Sequence, residues 1–370
     1  MNDRAVLLAA GGTGGHLFPA EALAHALQKR GVPVELVSDN RALKFGADFP
    51  ARAVHSVASA TPSSGSMFAK LSAGLTLARG LMQARRLVRK IQPLAVVGFG
   101  GYPTVPLLLA AAQCNIPVIL HEQNAVMGRA NRFLSARANA IATGFPDLTG
   151  FDARIQSKLT HVGNPLRPMV LEAAALHSPG FDDGILRLLV TGGSQGARVM
   201  SDIVPVGVSQ LPPEARARLF VTQQARPEDC ERVIAAYKAA GVAREVAAFF
   251  KDLPLRIAQS HLVIGRAGAS TVSELAAIGR ACILVPLPGS LDQDQAGNAE
   301  VLAKPGAADV ILQNDFSPDA VADLLREALD QPEVLTERGE AAKTVGVLDA
   351  ADRLASLVMR VANIQVGTNK

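Results

Sequence analysis

Ala5-Val6-Leu7-Leu8-Ala9-Ala10 runs directly into Gly11-Gly12-Thr13-Gly14-Gly15-His16. A helical pattern follows, Ala20, Leu23, Ala24 and Leu27, and Gly31 and Pro33 close it. Four glycines therefore occupy the turn between a buried strand and a helix N-terminus. Glycine permits positive φ there and lets a ligand approach the main chain. Free N–H groups and the positive end of the helix dipole favour an anion, most often a phosphate. The spacing is not G-x-G-x-x-G, because His16 and Leu17 follow Gly15. That disfavours a nicotinamide dinucleotide, and Asp39, after the second strand-like run Val34-Glu35-Leu36-Val37, reads as a turn residue.

The chain echoes this arrangement twice. Leu94-Ala95-Val96-Val97 leads into Gly98-Phe99-Gly100-Gly101-Tyr102, and Leu186-Arg187-Leu188-Leu189-Val190 leads into Thr191-Gly192-Gly193-Ser194-Gln195-Gly196. One such turn is explained by chain reversal alone. Three of them, spread over both halves of the chain, point to a protein that handles phosphates from two sides.

A chain of 370 residues exceeds one ordinary core and predicts two domains. Apolar runs alternate with helical patterns throughout, which reads as α/β with parallel sheets. Gly163-Asn164-Pro165-Leu166-Arg167-Pro168 reads as the linker between them. Cys114, Cys230 and Cys282 lack metal-ligand or disulfide spacing and read as buried small hydrophobes of a cytosolic protein. Neither a secretory leader nor a run of membrane-spanning length is apparent. Charge is lopsided. Residues 1–166 hold 17 Lys/Arg and 8 Asp/Glu, a balance of +9, whereas residues 167–370 hold 20 and 25, a balance of −5. No acid occurs between Phe49 and His121. A basic half suggests an anionic partner.

Residues 58–66 are small and polar and read as a surface loop. Beyond it, Met67, Phe68, Lys70 and Leu71 are candidates for contact with an anionic membrane surface. Leu77, Leu81, Ala84, Val88 and Ile91 form a core-facing stripe on the following helix, with Arg79, Arg85, Arg86, Arg89 and Lys90 around it. Ile116-Pro117-Val118-Ile119-Leu120 opens onto His121-Glu122-Gln123-Asn124, polar residues where α/β sheets place their ligands; helix capping explains them equally well. Leu262-Val263-Ile264 leads into Gly265-Arg266-Ala267-Gly268-Ala269-Ser270-Thr271-Val272-Ser273-Glu274, where Ser and Thr can cap a helix or its N–H groups can hold phosphate. Glu274 is either a dipole-favoured carboxylate or an acceptor of two ribose hydroxyls. After Cys282-Ile283-Leu284-Val285-Pro286 comes a polar loop, 288–299, whose amides and carboxylates suit sugar hydroxyls.

In this order, the glycine turns at 11–16, 98–102 and 192–196, His121-Glu122-Gln123-Asn124, Gly163-Asn164-Pro165-Leu166-Arg167 and Ala269–Glu274 together resemble the MurG family, the N-acetylglucosamine transferases of bacterial peptidoglycan synthesis. The motifs cover nearly the whole chain. The resemblance implies a GT-B glycosyltransferase fold, two Rossmann-like domains with parallel sheets facing across a cleft. Residues 1–166 would form the acceptor (lipid I) and membrane-facing domain, joined by the C-terminal helix 349–370. Residues 167–348 would bind UDP-N-acetylglucosamine. The implied reaction is inverting transfer of N-acetylglucosamine to the 4-hydroxyl of the muramoyl sugar of lipid I, giving lipid II. The implied location is peripheral, on the cytoplasmic face of the bacterial inner membrane, near protein partners of the cell-wall machinery.

By matched position, the resemblance gives Ser194 and the backbone at Ser270–Thr271 to the donor diphosphate, within the donor-contact stretch Ala269, Ser270, Thr271, Val272, Ser273 and Glu274. Glu274 would bind the ribose, the main chain at Phe250 the uracil, and Gln295, beside Asp294, the sugar. Thr13, Gly14, Gly15, Asn124 and Arg167 also match donor contacts. Gly14, Gly15, Gly100, Gly101 and Tyr102 would face the lipid I diphosphate. Helix N-termini suit a leaving UDP, no D-x-D in a strand context demands a metal, and no cofactor is implied. His16 is the candidate base, since a helix N-terminus lowers a histidine pKa, with Glu122 in reserve. Two departures stand out: Asp294 replaces an amide or imidazole frequent in relatives, and 58–66 lacks their basic residues.

Other readings are a GT-B transferase with another lipid or small acceptor, and a UDP-N-acetylglucosamine epimerase. A nucleic-acid binder is disfavoured by zero Trp, two Tyr and no interleaving of basic with aromatic residues.

Overall fold

The computed structural model describes residues 4–11, 14–38, 49–58, 67–193, 196–289 and 293–365, with the side chains of 67–74 outside that set. The chain divides into two compact units, Met1–Arg167 with Leu348–Lys370, and Pro168–Val347.

In the first unit β1 (Val6–Ala9), β2 (Val34–Ser38), β3 (Ala53–Ser56), β4 (Ala95–Gly98), β5 (Val118–Glu122), β6 (Ala140–Thr143) and β7 (Leu159–His161) form one sheet in the order β3-β2-β1-β4-β5-β6-β7. Every pairing is parallel, with Val6 opposite both Val34 and Ala95. β1, β4, β5 and β6 are buried along their length, which is why they read as continuous apolar runs without alternation. Helices α1 (Gly14–Gln28), α2 (Met67–Ile91), α3 (Val105–Gln113) and α4 (Arg129–Leu134) connect them. α2 is one continuous helix that starts at Met67, and its stripe of Leu81, Ala84, Val88 and Ile91 packs into the core shared with α3.

In the second unit, after α5 (Pro168–Ala174), come β8 (Leu186–Thr191), α6 (Arg198–Ser209), α7 (Pro213–Arg216), β9 (Leu219–Gln224), α8 (Cys230–Ala239), β10 (Ala243–Ala247) and α9 (Leu253–Ala258). Then follow β11 (Leu262–Gly265), α10 (Ala269–Ile278), β12 (Ala281–Leu284), α11 (Asp294–Ala303), β13 (Ala308–Val310), α12 (Pro318–Asp330) and α13 (Pro332–Lys343). The sheet is again parallel, in the order β10-β9-β8-β11-β12-β13. The last helix, α14 (Ala350–Val361), places Leu354, Leu357, Val358 and Met359 in the core of the first unit beside Leu23 and Leu27. It ends at Val361, and Asn363 turns out of helix with φ of 51°.

Both sheets reverse their winding once. The chain builds β1, β2 and β3 outward, then crosses to lay β4 on the other side of β1; β8, β9, β10 and β11 repeat the move. The crevices outside the carboxyl ends of β1/β4 and of β8/β11 are therefore the places where a doubly wound sheet binds ligands.

Candidate functional site

In the first unit the loops after β1 and β4 flank the reversal, and His16 on the first turn of α1 lies against both. A Cβ built on Gly100 would stand 3.5 Å from the His16 Cδ2 and Nε2, and one on Gly101 3.8 Å from Nε2. Gly11 faces Nδ1 in the same way, at 3.7 Å. Gly100 and Gly101 carry φ of 83° and 78°, which L side chains avoid, so the β4 turn needs glycine for its backbone shape. Burial holds the His16 imidazole below its ordinary pKa.

One strand further, at the carboxyl end of β5, lies a buried polar cluster. Glu122 accepts from Asn124 N at 3.0 Å, Gly128 N at 3.0 Å, Asn131 Nδ2 at 2.8 Å and Asn124 Nδ2 at 3.4 Å. Burial raises its pKa, and these donors oppose that shift. Four donors on two oxygens are the arrangement of a strut that holds the turn from 122 to 131. His121 donates from Nε2 to the Gly163 carbonyl at 3.1 Å, and among the described residues Nδ1 has no partner. Burial drives the His121 pKa down to about 4, so the ring is neutral at physiological pH. Gln123 Nε2 donates to the Phe99 carbonyl at 3.2 Å, and Asn164 Nδ2 to the Gln123 carbonyl at 3.0 Å. These bonds fasten the β4 and β7 loops to β5. The Arg167 guanidinium stacks on Phe18 of α1, 4.2 Å from the ring centre.

In the second unit the loop after β8 is shaped by close approach. A Cβ on Gly192 would lie 2.1 Å from Ala197 N, so only glycine fits. Gln224, buried at the end of β9, accepts from Thr191 Oγ1 at 2.9 Å and Gly192 N at 3.3 Å, and donates to the Ala248 carbonyl at 3.3 Å. It ties the β8, β9 and β10 ends together. Across the reversal, α10 begins at Ala269 behind Gly268, with no side-chain cap on its first N–H groups. Such an end offers donors and a positive dipole to an anion. Ser270, Thr271 and Ser273 are partly exposed on that first turn, and Glu274 is buried one step along. Phe250 lies after β10, its ring covered by Arg256 at 4.2 Å. Gln295, on the first turn of α11, accepts from Leu287 N at 3.0 Å.

The first sheet thus brings His16, Gly15, Gly100, Gly101, Tyr102, Glu122, Asn124 and Arg167 to its carboxyl edge. The second does so for Phe250, Ala269 to Glu274 and Gln295. Thr13, Ser194, Asp39, the loop from 59 to 66, the C-terminal residues 366–370 and the side chains of Met67, Phe68, Lys70 and Leu71 lie outside the described residues. Reading the sequence did not single out Asn131, Gln224, Arg266 or Asn298. Gln224 and Arg266 are polar residues at the ends of β9 and β11, which is the signal that marks them, whereas Asn131 and Asn298 lie within α4 and α11 and carry no such mark.

Residues 6–143 match the glycosyltransferase family 28 N-terminal domain, and residues 187–354 match that family's C-terminal domain. A Methylorubrum populi protein is 56% identical over 359 residues, 96% of this chain and 97% of that protein. It is named UDP-N-acetylglucosamine–N-acetylmuramyl-(pentapeptide) pyrophosphoryl-undecaprenol N-acetylglucosamine transferase. A protein of the same name from Rhodopseudomonas palustris is 53% identical over 97% of this chain and 98% of its own. The crystal structure of Acinetobacter baumannii MurG superposes with a TM-score of 0.79 at 28% identity, covering 96% of this chain and 99% of that one.

Proposed function

The chain belongs to glycosyltransferase family 28, and we propose that it transfers N-acetylglucosamine from UDP-N-acetylglucosamine to the 4-hydroxyl of the muramoyl sugar of lipid I, forming lipid II with inversion. The observation that carries this reading is the 56% identity to a transferase of that name over 96% of the chain. The fold is GT-B, one parallel doubly wound sheet in each unit.

The donor belongs to the second unit. The uncapped N-terminus of α10, with Ser270 and Thr271, suits the UDP diphosphate. Glu274 serves the ribose hydroxyls, the main chain at Phe250 the uracil, and Gln295 the sugar. Ser194, Thr13, Gly14, Gly15, Asn124 and Arg167 complete the donor contacts. The acceptor diphosphate belongs to the glycine turns of the first unit, Gly14, Gly15, Gly100, Gly101 and Tyr102.

His16 is the general base. Its Nε2 takes the proton of the acceptor 4-hydroxyl as that oxygen bonds to the anomeric carbon and the bond from carbon to the UDP oxygen breaks. The negative charge leaves with UDP, where helix N–H groups stabilise it. A lowered pKa keeps the imidazole unprotonated at neutral pH, as a base requires. Glu122 accepts four hydrogen bonds, which favours His16 over it.

The enzyme works at the cytoplasmic face of the inner membrane as a peripheral protein. No helix among the described residues is long and apolar enough to cross a membrane. The exposed face of α2 carries Leu75 and Met82, 68% and 57% exposed, interleaved with Arg79 and Arg86. It continues the segment of Met67, Phe68, Lys70 and Leu71 that serves as the contact with anionic lipid. Replacing Leu75 and Met82 by Ser should lower retention on anionic vesicles in flotation, and unchanged retention would rule this face out.

The test of the transfer is UDP release from UDP-N-acetylglucosamine with and without a lipid I analogue. Release that depends on the analogue, with a β-1,4-linked disaccharide product, is expected. Epimerisation of the donor alone, or transfer to a different acceptor only, would replace the reading.

A further inference from the structure

Arg266 follows β11 directly, and its side chain is 9% exposed. Nη1 donates to the Val285 carbonyl at 3.0 Å and to the Pro286 carbonyl at 3.1 Å; Nη2 donates to Gln313 Oε1 at 2.5 Å. One guanidinium therefore holds the exit of β12 and the loop after β13 from a base on β11. Among the described residues no carboxylate pairs with it, so a positive charge is buried against neutral oxygens only. Burying a cation in this way is costly. A merely mechanical tie between two loops needs no charge, whereas reaching three acceptors on two loops needs the five-donor fork of arginine.

What that fork holds is the exit of β12, next to the residue that bonds Gln295, the proposed sugar-side residue on α11. Immediately past Pro286, Leu287 N donates to Gln295 Oε1 at 3.0 Å. Asn298, fully buried on α11, donates from Nδ2 to the carbonyl of Ala267, the residue after Arg266, at 3.1 Å. Arg266–Ala267 thus holds Val285–Pro286 through the arginine side chain and Asn298 of α11 through the Ala267 carbonyl. The two stretches have no bonded way to find each other, since Gln313 is 47 residues from Arg266.

We propose that Arg266 is a positioning residue for the donor sugar, fixing Val285 and Pro286 at the exit of β12, to which Gln295 of α11 is bonded through Leu287 N, so that Gln295 meets the hexose hydroxyls. The inference rests on the donor assignment above and adds a division of labour within it: α10 holds the nucleotide, and the Arg266 clamp presents Gln295 to the sugar.

The test is calorimetric binding of UDP and of UDP-N-acetylglucosamine to the full chain, without acceptor, for wild type, Arg266→Lys and Gln313→Leu. Loss of a charge-assisted hydrogen bond should raise the Kd for UDP-N-acetylglucosamine about tenfold or more in Arg266→Lys. The Kd for UDP should stay within about twofold, because its proposed contacts in this unit lie on α10 and after β8 and β10, away from the three acceptors of the Arg266 guanidinium. In turnover the loss should appear as a raised donor KM. Gln313→Leu, which removes one of the three acceptors and leaves the charge, should show a smaller loss of the same kind and serves if the arginine variant fails to fold. Parallel loss of both ligands, or no change in either, overturns the clamp. Wild-type protein that binds neither nucleotide overturns the donor assignment and the clamp together.

Discussion

The two sheets place their reversal points alike, yet furnish them with different chemistry. At the carboxyl edge of the first sheet stand half-buried His16 and fully buried His121 and Glu122, each with a pKa displaced by desolvation. At the corresponding edge of the second sheet the described loops hold no histidine; His177 lies in the connection from α5 to β8, and His261 opens the way into β11. There the residues are Thr191, Gln224, the open end of α10 and Asn298, fixed dipoles, with Glu274 as the buried carboxylate. The scaffold is shared, so the contrast reflects the task. Holding a diphosphate needs oriented N–H groups whose charge does not vary with pH. Activating a hydroxyl needs a group that can take a proton. On the proposed reading, the first unit serves the acceptor's proton and the second the donor's charge.

The largest effect should come from exchanging one residue on each side. His16→Ala should lower kcat by about 10²–10⁴-fold, the usual worth of a general base, while UDP affinity in the second unit stays near wild type. Glu274→Ala should do the reverse, raising donor KM with a lesser loss of kcat. The pH profile sharpens the contrast. Because His16 is active when neutral, kcat/KM in wild type should fall as pH drops through a pKa below 6.5, and this limb should vanish in His16→Ala. Near-wild-type kcat in His16→Ala would break the division of labour at its centre.

A smaller effect follows from His121, whose pKa falls from an ordinary 6.5 to about 4 because burial disfavours the charged ring. Below pH 6.5 the unfolded chain takes up a proton that the folded chain refuses, so stability is present above that pH and is lost as pH falls towards 4. By linkage the loss amounts to about 3 kcal/mol at most. In histidine-resolved NMR the His121 ring should show no titration down to pH 5, and His121→Gln should flatten the acid side of the stability profile. A ring titrating near 6.5 would contradict the burial argument.

Much of this arrangement was readable in the chain because parallel sheets bury both faces. Runs such as Val118–Leu120 and Leu262–Ile264 carry no alternation, and glycine or polar residues mark where each strand ends. Those same marks located the glycine turns and His121–Asn124. What the sequence could not supply was pairing across distance. His16 rests on Gly100 and Gly101, 84 and 85 positions away, and only the order of β1 and β4 in the sheet brings them together. Gln224, Arg266 and Asn131 escaped notice for the same reason. Each acts through partners on other segments, and a polar residue at a strand end or on a short helix looks like any solvated one until the fold closes around it. Leu75 shows the converse: an apolar side chain on a helix that packs against the core, it is left exposed by the fold.

The finest test separates fold from ligand at two glycines, one on each side. Among the described residues a Cβ built on Gly15 or on Gly268 meets nothing within 4 Å, and neither has a left-handed φ. Alanine therefore fits both positions in the folded chain, and stability should change by no more than about 0.5 kcal/mol in either variant. Any loss of activity must then come from what approaches the backbone from outside. Because Gly15 faces the lipid I diphosphate and also stands among the proposed donor contacts, Gly15→Ala should raise the KM for the lipid I analogue most and the donor KM to a lesser degree. Gly268→Ala, at the cap of α10, should raise the donor KM and leave the acceptor KM alone. Equal effects on both substrates at either glycine would mean that the two ligands crowd the same backbone. The division between a proton-taking edge and a charge-holding edge would then be one of chemistry and no longer one of space.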